Sequence, residues 1–208
     1  MSMHIDVGTV LRGTVCDLYS NLVTRPTGAA VRTAIEQQVN EVATPIVTTI
    51  DFSQVNLLDF SCADEIVAKL LLRFTSDEGP KGYLTFRGIH EGHIDPIETV
   101  LERHALALVS WHEGEAELFG HVEEIERVHW DVVRDHGPLS ASDVARHLQA
   151  TVDQSAADAR VLDTRLVEQT RAQLDHLVHR RLLMCDDAGY AVPGTVPHTG
   201  SRTVRGTP

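Results

Sequence analysis

The chain has 208 residues, 42% of them hydrophobic and only 5% aromatic, with a formal net charge of −12. That length fits one large or two small domains, and the apolar share sustains a core built mainly from Val, Leu, Ile and Ala. The acidity excludes nonspecific nucleic-acid binding by the whole chain, but it is uneven: residues 1–139 hold 10 Lys/Arg against 22 Asp/Glu, whereas residues 140–208 hold 8 of each.

In chain order, His4 to Val15 shows alternating apolar positions around Gly8 and Gly13, which predicts two short strands. Pro26 to Val42 reads as a helix with Ala30, Val31, Ala34, Ile35 and Val39 on one stripe. Ile46 to Phe52 is a strand, and a short polar turn leads to a second apolar run, Val55 to Leu58. Ser61 to Phe74 is a helix whose face is Ala63, Ile66, Val67, Leu70 and Leu71. Asp59 or Ser61 is its N-cap, and Asp64 and Glu65 lie near the positive end of its dipole. After a turn cluster at Asp77–Gly82, Tyr83 to Ile89 is a strand and Asp95-Pro96 opens a helix. Leu106 to Trp111 and Ala116 to Phe119 form a hairpin around His112–Glu115. The alternation predicts an α/β domain, a mixed sheet with helices packed on it.

From about residue 121 the strands stop. Val122, Ile125, Val128, His129, Val132 and Val133 make the apolar face of a helix that ends at Gly137-Pro138. Ser140 caps a short helix with Asp143 at its third position. A long helix runs from about Ala156 to Arg180, with Val161, Leu162, Leu166, Val167, Thr170, Leu174, Leu177 and Val178 inward. Leu182–Cys185 and Tyr190–Val192 then make a hairpin. The tail is rich in Gly, Pro, Thr and Ser and is read as disordered. The expected units are 1–120, 121–193 and a tail, 194–208.

Residues 49–61, TIDFSQVNLLDFS, resemble the signature loop of STAS domains, the fold of bacterial anti-anti-sigma factors. The resemblance covers roughly residues 5–120. It places Asp59 on the motif aspartate and Ser61 on the serine that partner kinases phosphorylate. Phe60 departs from the motif's first serine and Cys62 from its glycine. Cys62-Ala63-Asp64-Glu65 is also similar to the segment of divergent STAS-like domains. The motif loop is thus Asp51, Asp59, Phe60, Cys62 and Asp64, with Ser61 as the switch residue; the alternative is that Ser61 only caps the helix. The order helix, short helix, long helix, hairpin resembles a winged helix-turn-helix domain.

Other chemistry is thin. His90 and His93 are three apart, as are His176 and His179, but no third ligand follows by spacing, so no metal is expected. No phosphate loop, dinucleotide fingerprint or nucleophile elbow occurs, and no cofactor is expected. Cys62 reads as a buried small hydrophobe. The protein is read as non-enzymatic. Cys16, Cys62 and Cys185 are odd in number and far apart, which suits a reducing cytoplasm. No apolar run reaches the length of about 20 residues that spans a bilayer, and the N-terminus shows no secretory signal.

Arg160, Arg165, Arg171, Arg180 and Arg181 crowd the long helix and could meet phosphates and base edges. Asp158, Asp163, Glu168 and Asp175 interleave with them, which suits a solvated mixed-charge face equally. Three functions follow as expectations. The first is a bacterial regulatory protein whose STAS-like domain binds a protein partner, such as a regulatory kinase or a sigma-system protein, with a winged-helix output domain. The second is a transcription regulator that binds DNA through residues 140–192 and uses the STAS-like part as sensor or homodimer contact. The third is a small-ligand or nucleotide-binding module.

Overall fold

Alternating apolar residues on β1 (Ser2–Asp6), β3 (Val47–Asp51) and β5 (Tyr83–Arg87) turn Ile5, Ile50, Leu84 and Phe86 to one side of a sheet. The computed structural model describes residues 2–15, 20–42, 47–152 and 164–195. The sheet has five strands in the order β1-β3-β5-β6-β7. The first four are parallel, and β7 (Glu115–Gly120) returns antiparallel to β6 (Ala107–His112) through a tight turn. The chain is therefore an α/β protein with a mixed sheet. A two-residue parallel pair, β2 (Asn21–Leu22) with β4 (Leu57–Leu58), lies apart from it.

Helices α1 (Val7–Thr14), α2 (Arg25–Glu41), α3 (Phe60–Ala63), α4 (Lys69–Thr75) and α5 (Glu91–Arg103) accompany the parallel strands. Helices α3 and α4 are one rod, joined by a π-helical segment, Asp64–Ala68. Its five residues are all buried, and so are Cys62 and Ala63 before it. The rod is enclosed on more sides than its predicted stripe required. Close packing makes room for this. A Cβ on Gly28 of α2 would lie 2.9 Å from the Cys62 backbone, so only glycine lets α2 approach the rod there.

Two expectations about the first half need correction. His4 to Val15 is a strand followed by a helix, not two strands. Asp6 caps α1 by accepting from the Thr9 N–H at 2.6 Å, and Val7, Val10 and Leu11 are buried with helical spacing. Helix α5 starts at Glu91, capped by the His90 ring, and holds Pro96 in its interior rather than at its first turn.

The second core sits on the other face of the sheet. Ala107, Val109, Ala116 and Leu118, on β6 and β7, pack with Trp130 and Val133 of α6 (Glu124–His136) and Ala141 and Val144 of α7 (Ala141–Val152). Leu174 and Leu177 of α8 (Thr164–His179) complete it with Leu182, Leu183, Tyr190 and Val192. The hairpin of β8 (Met184–Asp186) and β9 (Gly189–Ala191) gains a third member, because Leu139 bridges Tyr190 in both directions. The capping pair at α7 forms as expected, with the Asp143 N–H donating to Ser140 Oγ at 3.2 Å.

The face of α6 is another correction. Ile125 and Val128, predicted inward, are 48% and 41% exposed, while Glu126, His129, Trp130 and Val133 are buried. The Trp130 indole reaches the Leu182 carbonyl at 3.1 Å, and Glu126 has cationic partners inside. One large aromatic and one paired carboxylate outweigh two aliphatic side chains in setting the helix's rotation. The second core joins residues of β6 and β7 to those of α6, α7, α8 and the hairpin. Residues 153–163 of the long predicted helix, and the tail from 196, lie outside the described residues. No helix among the described residues is long and apolar enough to cross a membrane.

Candidate functional site

Strand β3 ends at Asp51, where the sheet hands the chain to the motif loop. The Ser53 N–H donates to Asp51 Oδ1 at 2.8 Å; His4 Nε2 and Arg87 Nε lie 2.9 and 3.2 Å from Oδ2. Burial pushes this carboxyl up, but the Ser53, His4 and Arg87 contacts outweigh it and hold it below the ordinary aspartate value. Asp51 thus ties the loop to the sheet edge.

Asp59 starts the rod. Its Oδ1 accepts from the Cys62 N–H at 2.8 Å and from the Ser61 hydroxyl at 2.9 Å, and Oδ2 takes the same hydroxyl at 3.1 Å. So the cap is Asp59, and Ser61 is a half-buried donor to it. Burial raises the Asp59 carboxyl and the bonds from Cys62 and Ser61 lower it, with a net position below its usual value. Phe60, between them, is 53% exposed. Cys62 is fully buried and its Sγ lies 3.1 Å from the Thr24 carbonyl. Burial, and then the Asp59 charge, push this thiol up to about 12, which leaves it an inert core group.

The two carboxylates that follow are inside and neutralised. Arg25 Nη1 donates to Asp64 Oδ2 at 2.8 Å and to Glu65 Oε1 at 2.7 Å. His104, just past α5, lies 2.9 Å from Asp64 Oδ1; Arg32 and Lys69 reach Glu65. Burial raises both acids, and the bonds from these partners more than reverse it, so both carboxyls are held below their ordinary values. Asp64 and Glu65 are thus taken up by these partners, and Asp59 is the acid that bonds Ser61. The paired role of Arg25, Arg32, Lys69 and His104 had no sequence signal beyond opposite charge, because the partners lie 33 to 40 residues apart in all but one case.

Arg25, Phe60, Ser61, Thr99, Val100 and Arg103 line an open groove of about 520 Å³ where α2, α3 and α5 meet. Arg25 is 51% exposed despite its two bonds. Arg103 is exposed and has no ion pair among the described residues. Asp51, Asp59, Cys62 and Asp64 do not line the groove; Asp59 holds the Ser61 hydroxyl and Asp64 holds Arg25, two residues that do.

A second polar cluster lies at the start of α5. His93 is fully buried and neither ring nitrogen has a hydrogen-bond partner. Its ring sits 3.5 Å from that of His90, centroid to centroid, and edge-on to Phe52 at 5.9 Å. Burial first, then the His90 neighbour, push His93 down to about 4. Among the described residues no three His, Cys, Asp or Glu side chains converge on one metal position.

The arginines of the C-terminal half divide. Arg180 is turned inward: Nη1 reaches both Glu126 oxygens at 2.7 Å and Nη2 reaches the His121 carbonyl at 2.7 Å. His176 also approaches Glu126, at 3.2 Å. The Arg181 guanidinium lies 5.7 Å over the Tyr83 ring and its Nε donates to the Phe74 carbonyl, joining the hairpin side to the first half. Arg165 and Arg171 are exposed on α8, and Arg160 lies outside the described residues. Asp186 and Asp187 stand at the hairpin tip, where Asp186 accepts from the Ala188 N–H. No protein-family model matches this chain, and neither a curated protein nor a solved structure matches it.

Proposed function

We propose that this protein is a non-enzymatic bacterial regulator that docks a protein partner on the Ser61 face of a STAS-like domain and carries a winged-helix-like output module. The observation that carries the reading is the division of labour in the motif loop. Asp51, Asp59, Cys62, Asp64 and Glu65 are all held by the fold, while Phe60 and Ser61 are presented at a groove. A fixed base under an accessible aromatic and hydroxyl suits recognition and covalent marking. In this reading Ser61 is the switch. A phosphate there removes the hydroxyl's bond to Asp59 and sets about −1.5 to −2 charge beside that carboxylate. The three-membered β arrangement, in which Leu139 between α6 and α7 pairs with the hairpin that follows α8, supports the winged-helix part.

Affinity capture from the native cell, with wild type, Ser61→Asp and Ser61→Ala as baits, tests this. The expected outcome is a partner retained by wild type and Ser61→Ala and lost with Ser61→Asp, with phosphorylated Ser61 found by mass spectrometry. Equal capture by all three baits, with no phosphate on the native protein, rejects the switch.

Direct DNA binding is the second reading, favoured by the exposure of Arg165 and Arg171 on α8. It requires duplex binding that weakens steeply as salt rises, because phosphate contacts release counterions. Arg165→Ala with Arg171→Ala must reduce it. An acidic hairpin tip and the inward use of Arg180 leave this reading a smaller basic surface.

A further inference from the structure

The groove at Ser61 has an unusual pairing of chemistry for an acidic chain. Its lining includes the exposed Phe60 ring and buried Val100, and its two charged members are both arginines. Arg25 comes from the first turn of α2 and Arg103 from the last turn of α5. We propose that this groove docks a partner segment carrying a carboxylate beside an apolar side chain; the proposal rests on the docking reading above and names the chemistry of its partner.

Charge complementarity supplies the first reason. The acids nearest Arg25 are already shared with Arg32, Lys69 and His104. Both Arg25 bonds use Nη1, whereas a guanidinium carries five N–H donors in a planar fork that fits a carboxylate. Arg103 adds a second cation from another helix. The apolar part supplies the second reason. A ring that is 53% exposed beside Val100 offers a surface that gains from being covered. A nucleotide fits less well: Phe60 is the one aromatic ring in the lining on which a base could stack.

The same placement states how the switch works. Ser61 is on the groove wall, so a phosphate on it competes for Arg25 and Arg103 with the partner's carboxylate while Asp59 pushes it away from the helix cap. The mark fills the groove in place of the partner.

A selection of random short displayed peptides on the full chain tests the proposal. Enriched peptides are then synthesised with a fluorescent label and titrated against wild type, Arg103→Glu and Phe60→Ala, each checked by circular dichroism. Enriched peptides should pair Asp or Glu with a neighbouring Leu, Met or Phe. Arg103→Glu and Phe60→Ala should each weaken binding roughly tenfold or more, as for central interface residues. Replacing the peptide's acid by Lys should restore affinity for Arg103→Glu, and phosphoserine installed at 61 should abolish binding. Peptides without acidic enrichment, affinities unchanged in both variants, or binding of ATP with no peptide enriched would overturn it. A native partner whose cross-links map away from the groove would overturn the groove while leaving partner docking intact.

Discussion

Arg25 and Arg103 in the first half of the chain, and Arg180 and Arg181 in the second, show how differently a fold spends the same side chain. Arg180 is enclosed by Glu126 and the His121 carbonyl and is 18% exposed; Arg181 lies on Tyr83. Arg25 keeps half its surface in solvent and Arg103 is exposed at a groove. The crowded arginines of the long helix looked like a binding surface in the sequence, and two of them are braces. The isolated ones, 78 positions apart, line a groove together. Density of charge along a chain says little about its availability in space.

The comparison can be broken first at its strongest point. Arg180→Ala leaves Glu126, 3% exposed, with the His176 ring as the one neighbour still within ion-pair distance among the described residues. Removing one partner of a buried pair costs about 3–5 kcal/mol, so urea unfolding should show a loss of that size. A loss below about 1 kcal/mol, the range of exposed pairs, would place Arg180 with the surface arginines instead.

His93 is the opposite case, a buried polar ring with no partner. Its folded value of about 4 lies below the ordinary 6.5. Between these values the unfolded chain binds a proton that the folded chain does not, so stability falls as the pH is lowered through that window and levels off below it. The window is worth about 3 kcal/mol. His93→Leu should flatten the dependence of unfolding free energy on pH there; an unchanged slope would assign it to other groups.

Asp59→Ala should cost about 1 kcal/mol, the usual loss of an N-cap, in thermal or urea unfolding. It also removes the acceptor of the Ser61 hydroxyl. The smallest effect is expected at the free end of the comparison. Arg103→Gln and Arg171→Gln should each change stability by less than about 0.5 kcal/mol, as surface substitutions do. A larger loss for Arg103 would mean that it braces the fold and is not held ready for a partner.

The predicted strands Ile46–Phe52, Tyr83–Ile89 and Leu106–Trp111 and the helices of 26–42 and 61–74 are close to the observed elements, because each buries one periodic face. The stretch from His4 failed because Ile, Val and Thr have strand propensity while the local cap at Asp6 and the burial of Val7, Val10 and Leu11 favour a helix. The α6 face failed because counting aliphatics ignored that a paired glutamate can go inside. For the site, Asp59 and Ser61 stood in the motif. Arg25 and Arg103 did not, since nothing along the chain links the start of one helix to the end of another. Their helices meet at the groove, with α2 packed close on the rod at Gly28.

Strand β6 sets Leu108 into one core and Ala107 and Val109 into the other. It works as a party wall between neighbours. A substitution on either side tilts the wall for both, so the energies of changes in the two cores, summed across β6, should not simply add. Whatever a partner does to the helices over one face of the sheet, the module on the other face leans on the same strand.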